Sequence, residues 1–493
     1  MKCKLFALTA FSVLMSLSSF AQTQIKAQAD VGGAYNELLS DICLSDNGFL
    51  LAGTSFSDHS KYKTQNSWGA NDYWVIKFAE DKITGKATIQ WDETIGGDKD
   101  DTLIAARSTR DGGYILAGNS YSGISGNKTV DITKTTGIWL VKLNADGSIA
   151  WQKTVGSALS QSDRAYDMDT TDDGGCILTT NSGLIKTDQY GNIQWINNAV
   201  SNDGAAYTSE TLDKGYIVTS PFGEIQKTDS LGNILWRRDY DTIVECRFKT
   251  QCTKDSGFIM CGVYVNYSES VTNGDGRRLR FKLIVHKLDK AGNLLWTTIA
   301  DETKFSASFD ISILQTSDGG YLVGSTTNHG GGYQYYTLKL NSAGSPQWSK
   351  IVDGSSSYLK DLKELRPNIY LLGGISSSGI AGDKTKKTLG GFDYWPVVLA
   401  DTTAKPSLIK NITMSDAVAK TKSFIVYPNP VKDVLHINTN TETNISLINQ
   451  QGIVVFTQQI KNTRTINISK LPAGIYYVKD NRTGEVQKIV ISK

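Results

Sequence analysis

The stretch DGGYILAG, residues 111–118, places a tight-turn signal directly before a run of apolar residues. Asp111-Gly112-Gly113 suits a hairpin because glycine adopts positive φ values at little steric cost. The same turn and strand recur along the chain, so the stretch indicates a repeat and not a single hairpin. The clear copies begin at Asp46, Asp111, Asp173, Asp213, Asp255 and Asp318, and a weaker copy begins at Pro367.

A second marker alternates with the first. It is a turn, often Gly-Asn or Gly-Ser, that is followed after two residues by tryptophan. The spacing from each tryptophan to the next Asp-Gly turn is nearly constant, whereas the spacing from that turn to its tryptophan varies. One half of the unit is therefore rigid, and the other half contains a loop that tolerates insertion. The tryptophans of this series are Trp91, Trp151, Trp195, Trp236, Trp296 and Trp348.

Each unit is predicted to contain four short strands. In the second unit we place them near 103–109, 114–119, 138–143 and 149–155. Such a unit, repeated seven times, is the signature of an all-β fold, the seven-bladed β-propeller. The last unit lacks its fourth strand. Residues 23–33 should supply that strand and close the ring, which leaves no sheet edge open. A β-solenoid or an open array is the alternative.

The composition of the 493-residue chain argues against two classes of partner. Lys plus Arg (51) nearly balances Asp plus Glu (49), which gives no electrostatic case for nucleic acid or a membrane surface. Residues 1–21 are predicted to be a signal peptide for Sec export, with cleavage after Ala21. No later segment is apolar over the length that a transmembrane helix requires.

Cysteine usage leaves two possibilities open. Of the six cysteines, Cys3 lies in the predicted signal peptide, and the others are scattered without a disulfide framework. Cys252 and Cys261 flank one predicted turn, so a bridge between them is possible if the geometry allows it. Buried free thiols are the alternative, and the one that we favour.

The repeat pattern stops after Asp401. We expect the propeller to cover residues 22–404, a linker to cover 405–422, and a small Ig-like β-sandwich to cover 423–493, where short alternating apolar runs follow one another.

Three motifs in the last segment occur in order: Tyr427-Pro428-Asn429-Pro430, Leu471 to Tyr476, and Lys488 to Lys493. The segment resembles the type A C-terminal sorting domain of the Bacteroidetes type IX secretion system. The repeat region is similar, more loosely, to secreted bacterial propeller repeats. An ordinary Ig-like accessory domain is the alternative for the C-terminal segment. The sorting-motif residues that we single out are Pro428, Asn429, Pro430, Gly474, Tyr476, Lys488 and Lys493.

This resemblance implies a route and two partners. The protein would leave the periplasm through the outer-membrane translocon of the type IX system, and a sortase-like peptidase would remove residues 423–493. The product would be secreted or held on the outer cell surface. The sorting domain would act as an address and would carry no catalytic role.

The sequence offers little evidence for catalysis. It contains no HExxH, CxxC, P-loop or G-x-S-x-G pattern, and its four histidines are far apart. Acidic clusters occur at 98–101 and 167–173, but neither has the spacing of an EF-hand calcium loop. We therefore expect no metal and no cofactor, and we leave the question of enzymatic activity open, with a non-catalytic role favoured.

The variable loops are a better indication of function. Residues 55–72, 120–137 and 376–393 belong to units that become neighbours when the ring closes, and SGISGNKT (122–129) nearly repeats as SGIAGDKT (378–385). Exposed aromatic residues on a rigid scaffold often recognise ligands. The hypothetical binding residues are Trp68, Tyr73, Trp74, Trp139, Tyr394 and Trp395. The alternative for the strand residues Trp74, Trp139 and Trp395 is packing between blades, which makes Trp68 the better candidate.

Two functions follow as hypotheses. The first is a secreted or cell-surface propeller that binds a glycan or a protein without catalysis. The second is a propeller hydrolase or lyase that acts on polysaccharide. A dense cluster of carboxylate, histidine or arginine around the axis would favour the enzyme, and an aromatic rim would favour binding.

Overall fold

The computed structural model describes residues 23–80, 86–132, 134–156, 162–198, 207–220, 223–240, 248–273, 276–305, 310–329, 331–402, 413–414 and 424–492. Every regular element in these ranges is a β-strand. Within the same ranges, no helix is long and apolar enough to cross a membrane. The predicted signal peptide, most of the predicted linker and Lys493 lie outside the described residues.

The repeats fold as antiparallel meanders of four strands, which we call sheets 1 to 7 in chain order, and sheets 5 and 6 are joined by one pair, Phe305 opposite Thr327. Sheet 1 contains β2 (Glu37–Ser45), β3 (Gly48–Ser55), β4 (Asp72–Glu80) and β5 (Lys86–Ile95). Sheet 2 contains β6 (Asp101–Ser108), β7 (Tyr114–Ser120), β8 (Gly137–Leu143) and β9 (Ile149–Val155). Sheet 3 contains β10 (Ala165–Thr170), β11 (Cys176–Thr180), β12 (Gly183–Thr187) and β13 (Ile193–Asn197). Sheet 4 contains β14 (Tyr207–Glu210), β15 (Tyr216–Thr219), β16 (Glu224–Thr228) and β17 (Ile234–Asp239).

The later sheets follow the same plan with small departures. Sheet 5 contains β18 (Lys249–Cys252), β19 (Phe258–Asn273), β20 (Gly276–Leu288) and β21 (Leu294–Phe305). Sheet 6 contains β22 (Ile311–Gln315), β23 (Tyr321–His329), β24 (Gly332–Leu340) and β25 (Pro346–Val352). Sheet 7 contains β26 (Ser357–Arg366), β27 (Ile369–Ser376), β28 (Asp393–Tyr394) and β29 (Val397–Asp401), and β1 (Thr23–Gln28) lies on its outer edge.

The sheets are arranged around a common centre. The first strand of each sheet contacts the first strand of the next, from β2 with β6 through to β22 with β26, and β26 contacts β2. β1 pairs antiparallel with β29, with Thr23 opposite Asp401 and Gln28 opposite Val397. The N-terminal strand and the last repeat therefore share one sheet, and the fold is a β-propeller.

The two sequence markers interlock between neighbouring sheets. Trp236 of β17 packs against Phe258 at the start of β19, with ring centroids 6.0 Å apart. Gly292 lies in the turn between β20 and β21 of the same following sheet and has a positive φ of 79°. A Cβ at this position would lie 2.8 Å from the Trp236 ring. Trp236 thus covers both a turn and a strand start of the following sheet. The equivalent ring pairs are Trp91–Tyr114, Trp195–Tyr216, Trp296–Tyr321 and Trp348–Tyr370.

The turn aspartate of the repeat also has a fixed role. The Asp255 carboxylate accepts hydrogen bonds from the Thr253 hydroxyl, from the Gly257 N–H and from the Lys287 Nζ. Partial burial opposes ionisation, but these donors outweigh it and lower the pKa of Asp255 to about 2. The equivalent ion pairs are Lys142–Asp111, Lys186–Asp173, Lys227–Asp213 and Lys339–Asp318.

The cysteines among the described residues are free thiols. Cys252 lies opposite Phe258 and Cys261 lies opposite Lys249, so the two cysteines occupy different positions of the β18–β19 ladder. The disulfide that we considered between them is therefore wrong, and the alternative of free thiols describes the fold. Burial raises the pKa of Cys252 to about 12, which keeps its thiol protonated at neutral pH.

The C-terminal residues form a separate sheet. Its strands are β31 (Phe424–Tyr427), β32 (Val434–Asn449), β33 (Val454–Asn467), β34 (Gly474–Asp480) and β35 (Val486–Ile491). The order is β31-β32-β34-β35, and β33 pairs with β32. Val431 also bridges to Ile491, which brings the loop after β31 onto the last strand. Between the two regions, β30 (Thr413–Met414) pairs with the start of β5.

Candidate functional site

Five of the six predicted binding residues are buried. Trp74, Trp139 and Trp395 are each 0 % exposed, and so are Tyr73 and Tyr394. A ligand on the protein surface cannot reach them. The alternative stated for the strand tryptophans, packing between sheets, describes all five.

These five residues take part in tyrosine–tryptophan contacts between neighbouring sheets. The Tyr73 hydroxyl donates to the Trp139 carbonyl at 3.3 Å, and the Tyr394 hydroxyl donates to the Trp74 carbonyl at 3.3 Å. The ring centroids lie 5.1 Å and 5.2 Å apart in the two pairs. Tyr335 makes the same contact with Trp395, at 2.9 Å. The sequence signal that we assigned to a binding surface therefore belongs to the packing between sheets.

The variable loops of sheets 7, 1 and 2 nevertheless lie together, and we call them the loop face. The Gly391 N–H donates to the Tyr35 carbonyl at 2.9 Å, and the Phe56 N–H donates to the Asn36 carbonyl at 2.9 Å. A Cβ added at Gly126 would lie 2.9 Å from Trp68 Cγ, so the loop of sheet 2 packs directly on that of sheet 1. The three loops thus form one continuous surface.

A buried lysine supports each of these loops. The Nζ of Lys63 donates to the Ser57 carbonyl at 2.5 Å, that of Lys128 donates to the Ser122 carbonyl at 2.9 Å, and that of Lys384 donates to the Ser378 carbonyl at 3.0 Å. The near-identical segments 122–129 and 378–385 contain two of these lysines, so their similarity has a structural cause. Burial lowers the pKa of Lys63 and that of Lys128 to about 8.

Carboxylates and serines lie beneath the same loops. In sheet 1, Glu37 accepts hydrogen bonds from the hydroxyls of Ser55 and Ser57 and from the Gly33 N–H. In sheet 2, Asp101 accepts hydrogen bonds from the Ser122 hydroxyl and the Gly97 N–H. Burial raises the pKa of both carboxyls against these hydrogen bonds. The polar groups are engaged within the fold and hold the loop bases in place.

The outer layer of the loop face presents exposed apolar side chains among polar ones. Ile124 is 67 % exposed and Ile380 is 73 % exposed, and they occupy the same position in the two near-identical segments. Tyr35, Phe56 and Leu389 are also exposed. Sequence reasoning missed these residues because we searched for aromatic side chains. The repeated isoleucine within SGISGNKT and SGIAGDKT was the signal that could have identified them.

The centre of the ring contains paired charges. Arg107 forms ion pairs with Asp41, Asp167 and Asp169. Two of these aspartates also accept hydrogen bonds from the backbone. Asp41 accepts from the Ala106 N–H and Asp167 accepts from the Thr208 N–H, both at 3.0 Å. Burial, opposed by Arg107, raises the pKa of Asp167 to about 6. This is the cluster of carboxylate and arginine that we named as a sign of an enzyme, and its members already pair with one another.

A second central group follows the same plan. Asp361 accepts from the Ile42 N–H of sheet 1 at 3.1 Å, from the Ser312 hydroxyl at 2.8 Å and from the Lys363 Nζ at 2.6 Å. Although its burial disfavours ionisation, the lysines Lys363 and Lys249 hold the pKa of Asp361 well below its usual range. The carboxylate joins neighbouring first strands of the propeller.

Several sorting-motif residues contact one another or the adjacent backbone within the C-terminal sheet. Asn429 donates to the Lys488 carbonyl at 3.0 Å and accepts from the Val490 N–H at 2.7 Å, which fixes the Pro428-Asn429-Pro430 segment on β35. The Tyr476 hydroxyl donates to the Pro472 carbonyl at 3.1 Å, two residues before Gly474. The three motifs of the sequence therefore contribute to one structural unit.

Trp68, the remaining predicted binding residue, is half-buried at the margin of the loop face. Its ring meets the Tyr427 ring of the C-terminal region edge-on, with centroids 5.5 Å apart and an interplanar angle of 76°. Its backbone N–H donates to Asp72 at 2.6 Å.

Residues 425–492 match the family model described as "Secretion system C-terminal sorting domain". These residues are a type IX secretion sorting domain, and the protein is a β-propeller that is secreted or displayed on the cell surface. Comparison with curated protein sequences gave no match.

Three of the solved structures that are similar to this chain are the following. The WD40 β-propeller domain of Doa1 has 10 % identity and a TM-score of 0.46, covering 79 % of this chain and 99 % of its own. BamB from Moraxella catarrhalis has 14 % identity and a TM-score of 0.41, and the match covers 77 % of this chain and 100 % of the BamB chain. PorZ, a surface component of the type IX secretion system of Porphyromonas gingivalis, has 10 % identity and a TM-score of 0.32. This match covers 92 % of this chain and 70 % of the PorZ chain.

Proposed function

We propose that this protein is a non-enzymatic binding protein that presents the loop face of a seven-bladed propeller to an extracellular glycan or protein. The observation that carries the proposal is the pair Ile124 and Ile380, which are 67 % and 73 % exposed although the loops beneath them are anchored by buried lysines. Apolar side chains held in water by a rigid base are typical of recognition surfaces.

The count of seven blades is supported by the contacts among first strands. These contacts run from sheet 1 to sheet 7, and β26 then contacts β2. Tyr394 of sheet 7 also donates to the Trp74 carbonyl of sheet 1. For the C-terminal domain, an Ig-like sandwich over 423–493 forms part of the proposal, and the support for it is one buried apolar core that includes Phe424, Leu435 and Val478.

The chemistry of the exposed layer favours a protein ligand over a glycan. Ile124, Ile380 and Leu389 are aliphatic, and aliphatic residues bury area without the flat ring face on which a sugar stacks. Tyr35 and Phe56 supply the exposed aromatic area, so a glycan stays within the proposal as the second ligand class.

A polysaccharide hydrolase or lyase is the second candidate, and the central charges support it. Asp167 has a raised pKa next to Arg107, as an acid catalyst requires. Against this, both oxygens of Asp167 are occupied, one by Arg107 and the other by the Thr208 N–H. The balance therefore favours binding.

The export route forms part of the proposal. Residues 1–21 would direct the chain to Sec, and Pro428, Asn429, Pro430, Gly474, Tyr476, Lys488 and Lys493 would present residues 423–493 to the translocon and the sortase-like peptidase. The closeness of Asn429 and Lys488 supports their action as one motif.

The experiment is an array of extracellular proteins, glycans and polysaccharides that is probed with the full chain, reading both retained ligand and released sugar. Retention without release supports the binding protein. Released sugar contradicts it and directs the search to Asp167 and Arg107, for which Asp167→Asn is the matched variant. If the array shows no retained ligand and no released sugar, both functions are contradicted.

A further inference from the structure

We propose that the sorting domain docks on the propeller over Trp68, so that this part of the loop face becomes fully accessible when the sorting domain is removed. The docked segment contains the sorting motif itself. The inference goes beyond the proposed function, because it holds whatever ligand the loop face binds.

Trp68 is enclosed from two sides. On one side is Gly126, where an added Cβ would lie 2.9 Å from Trp68 Cγ, and on the other is the Tyr427 ring at 5.5 Å. The indole Nε1 is buried and has no hydrogen-bond partner among the described residues. A buried donor without an acceptor is unfavourable. Removal of Tyr427 would open one side of the Trp68 ring to solvent or to a ligand.

The contact extends beyond one ring pair. A cleft of about 200 Å³ separates the two regions. Its propeller wall includes Ile95, Ser148 and Gln152, and its sorting-domain wall includes Asn429 and Lys488. Both of the latter belong to the sorting motif, so docking turns that motif toward the propeller. The linker supports the same placement, because Thr413 and Met414 pair with the start of β5 on sheet 1.

The burial of Tyr427 agrees with an occupied interface. Its ring stacks on His436 at 5.1 Å within the sorting domain and meets Trp68 with its edge. Aromatic pairs of this geometry favour association beyond the area that they bury. The sorting domain is thus an intramolecular occupant of the Trp68 surface, and its proteolytic removal would convert the loop face from a partly covered to a fully open state.

Hydroxyl-radical footprinting of the full chain tests the proposal, with oxidation of Trp68 read by mass spectrometry. Val486 lines the cleft and is 49 % exposed, so Val486→Asp leaves the sorting-domain core intact. Docking would place the new charge in the same cleft as Asp146 and Glu93, and the repulsion between like charges opposes association. Trp68 oxidation should rise severalfold, because undocking exposes the part of the ring that faces Tyr427.

The matched control is Val454→Asp, at a position that is 52 % exposed and does not line the cleft. Trp68 oxidation in this variant should equal that of the unmodified chain. Equal oxidation of Trp68 in all three proteins overturns the proposal, and so does a rise in both variants.

Crosslinking provides a test that does not depend on the stability of Val486→Asp. Ser148 and Lys488 line the same cleft, so cysteines at both positions should react with a short bis-maleimide within one chain. Ser148 paired with Lys470, which is exposed and outside the cleft, is the control. A crosslinked 148–488 peptide in excess over the control supports docking, and equal yields or no yield in both overturns it.

Discussion

The Tyr394 hydroxyl donates a hydrogen bond to the backbone carbonyl of Trp74 at 3.3 Å, and the two rings pack with centroids 5.2 Å apart. Tyr394 lies near the end of the repeat region, whereas Trp74 belongs to its first sheet. The contact therefore joins the two ends of the propeller, next to the pairing of β1 with β29.

Removal of this hydrogen bond should weaken the closure of the ring. Tyr394→Phe keeps the ring packing and leaves the buried Trp74 carbonyl without this donor. A buried hydrogen bond of this kind contributes about 1 kcal/mol, so the free energy of unfolding should fall by about that amount. Urea unfolding followed by tryptophan fluorescence measures the change. Tyr35→Phe is the control, because Tyr35 is 64 % exposed, and it should leave unfolding unchanged.

The closure should also depend on pH through Asp393. Burial, a hydrogen bond with Asp30 and the nearby charge of Glu37 raise the pKa of Asp393 to about 9. The folded state thus holds a proton that the unfolded chain releases near pH 4. This stabilisation is complete below pH 4 and is lost as the pH rises toward 9. Asp393→Asn should flatten the loss of stability over that range in urea titrations. An unchanged pH profile would contradict the assignment.

The interlocking of turns and tryptophans predicts different costs for two glycines. Gly344 and Gly319 both have a φ of 83°. A Cβ at Gly344 would lie 2.7 Å from the Trp296 ring, whereas no atom of the described residues lies within 4 Å of a Cβ at Gly319. Gly319→Ala should cost about 1–2 kcal/mol for the backbone conformation alone. Gly344→Ala should cost more, because it also displaces Trp296. Thermal unfolding of the two variants should separate them, and equal melting temperatures would refute the packing role.

The buried lysine of a loop should control the order of that loop. Lys128 donates from its Nζ to the carbonyls of Ser122 and Val130. Lys128→Met retains the stem but leaves both carbonyls without their donor, which costs roughly 1–3 kcal/mol for each unsatisfied group. Hydrogen exchange should therefore accelerate in residues 121–130, while the strands β7 and β8 stay protected. Uniform acceleration over the whole of sheet 2 would indicate global destabilisation instead.

The architecture was predictable because its two markers are local. The first marker is a short turn whose central residue takes a positive φ, as Gly112 does in the second repeat, and the tryptophan follows its own turn a few residues later, so both markers recur along the first six repeats. For the second repeat, the strands observed at Asp101–Ser108, Tyr114–Ser120, Gly137–Leu143 and Ile149–Val155 match the predicted ranges closely. The sorting domain was predictable for a similar reason, since its motifs are short and ordered.

The functional surface was harder to predict, because burial depends on residues distant in sequence. The local sequence around Trp74 and Trp139 does not distinguish them from exposed tryptophans that recognise ligands. They are buried because a neighbouring sheet packs on them. Trp68 illustrates the reverse case, since the residue that covers it, Tyr427, belongs to another domain. The ion pairs at the centre of the propeller could not be predicted from the sequence either, because Arg107 and Asp167 lie on different sheets.

The most direct test of the account is a comparison of ligand retention by two double variants of the full chain. Ile124→Asp with Ile380→Asp places charges on the loop face, and Leu231→Asp with Leu295→Asp places them at exposed positions of sheets 4 and 5. The account predicts that the first double variant binds the retained ligand at least about tenfold more weakly, as loss of anchor residues does. The second should bind as the unmodified chain does. Equal binding by both double variants would show that the ligand lies elsewhere and would contradict the account.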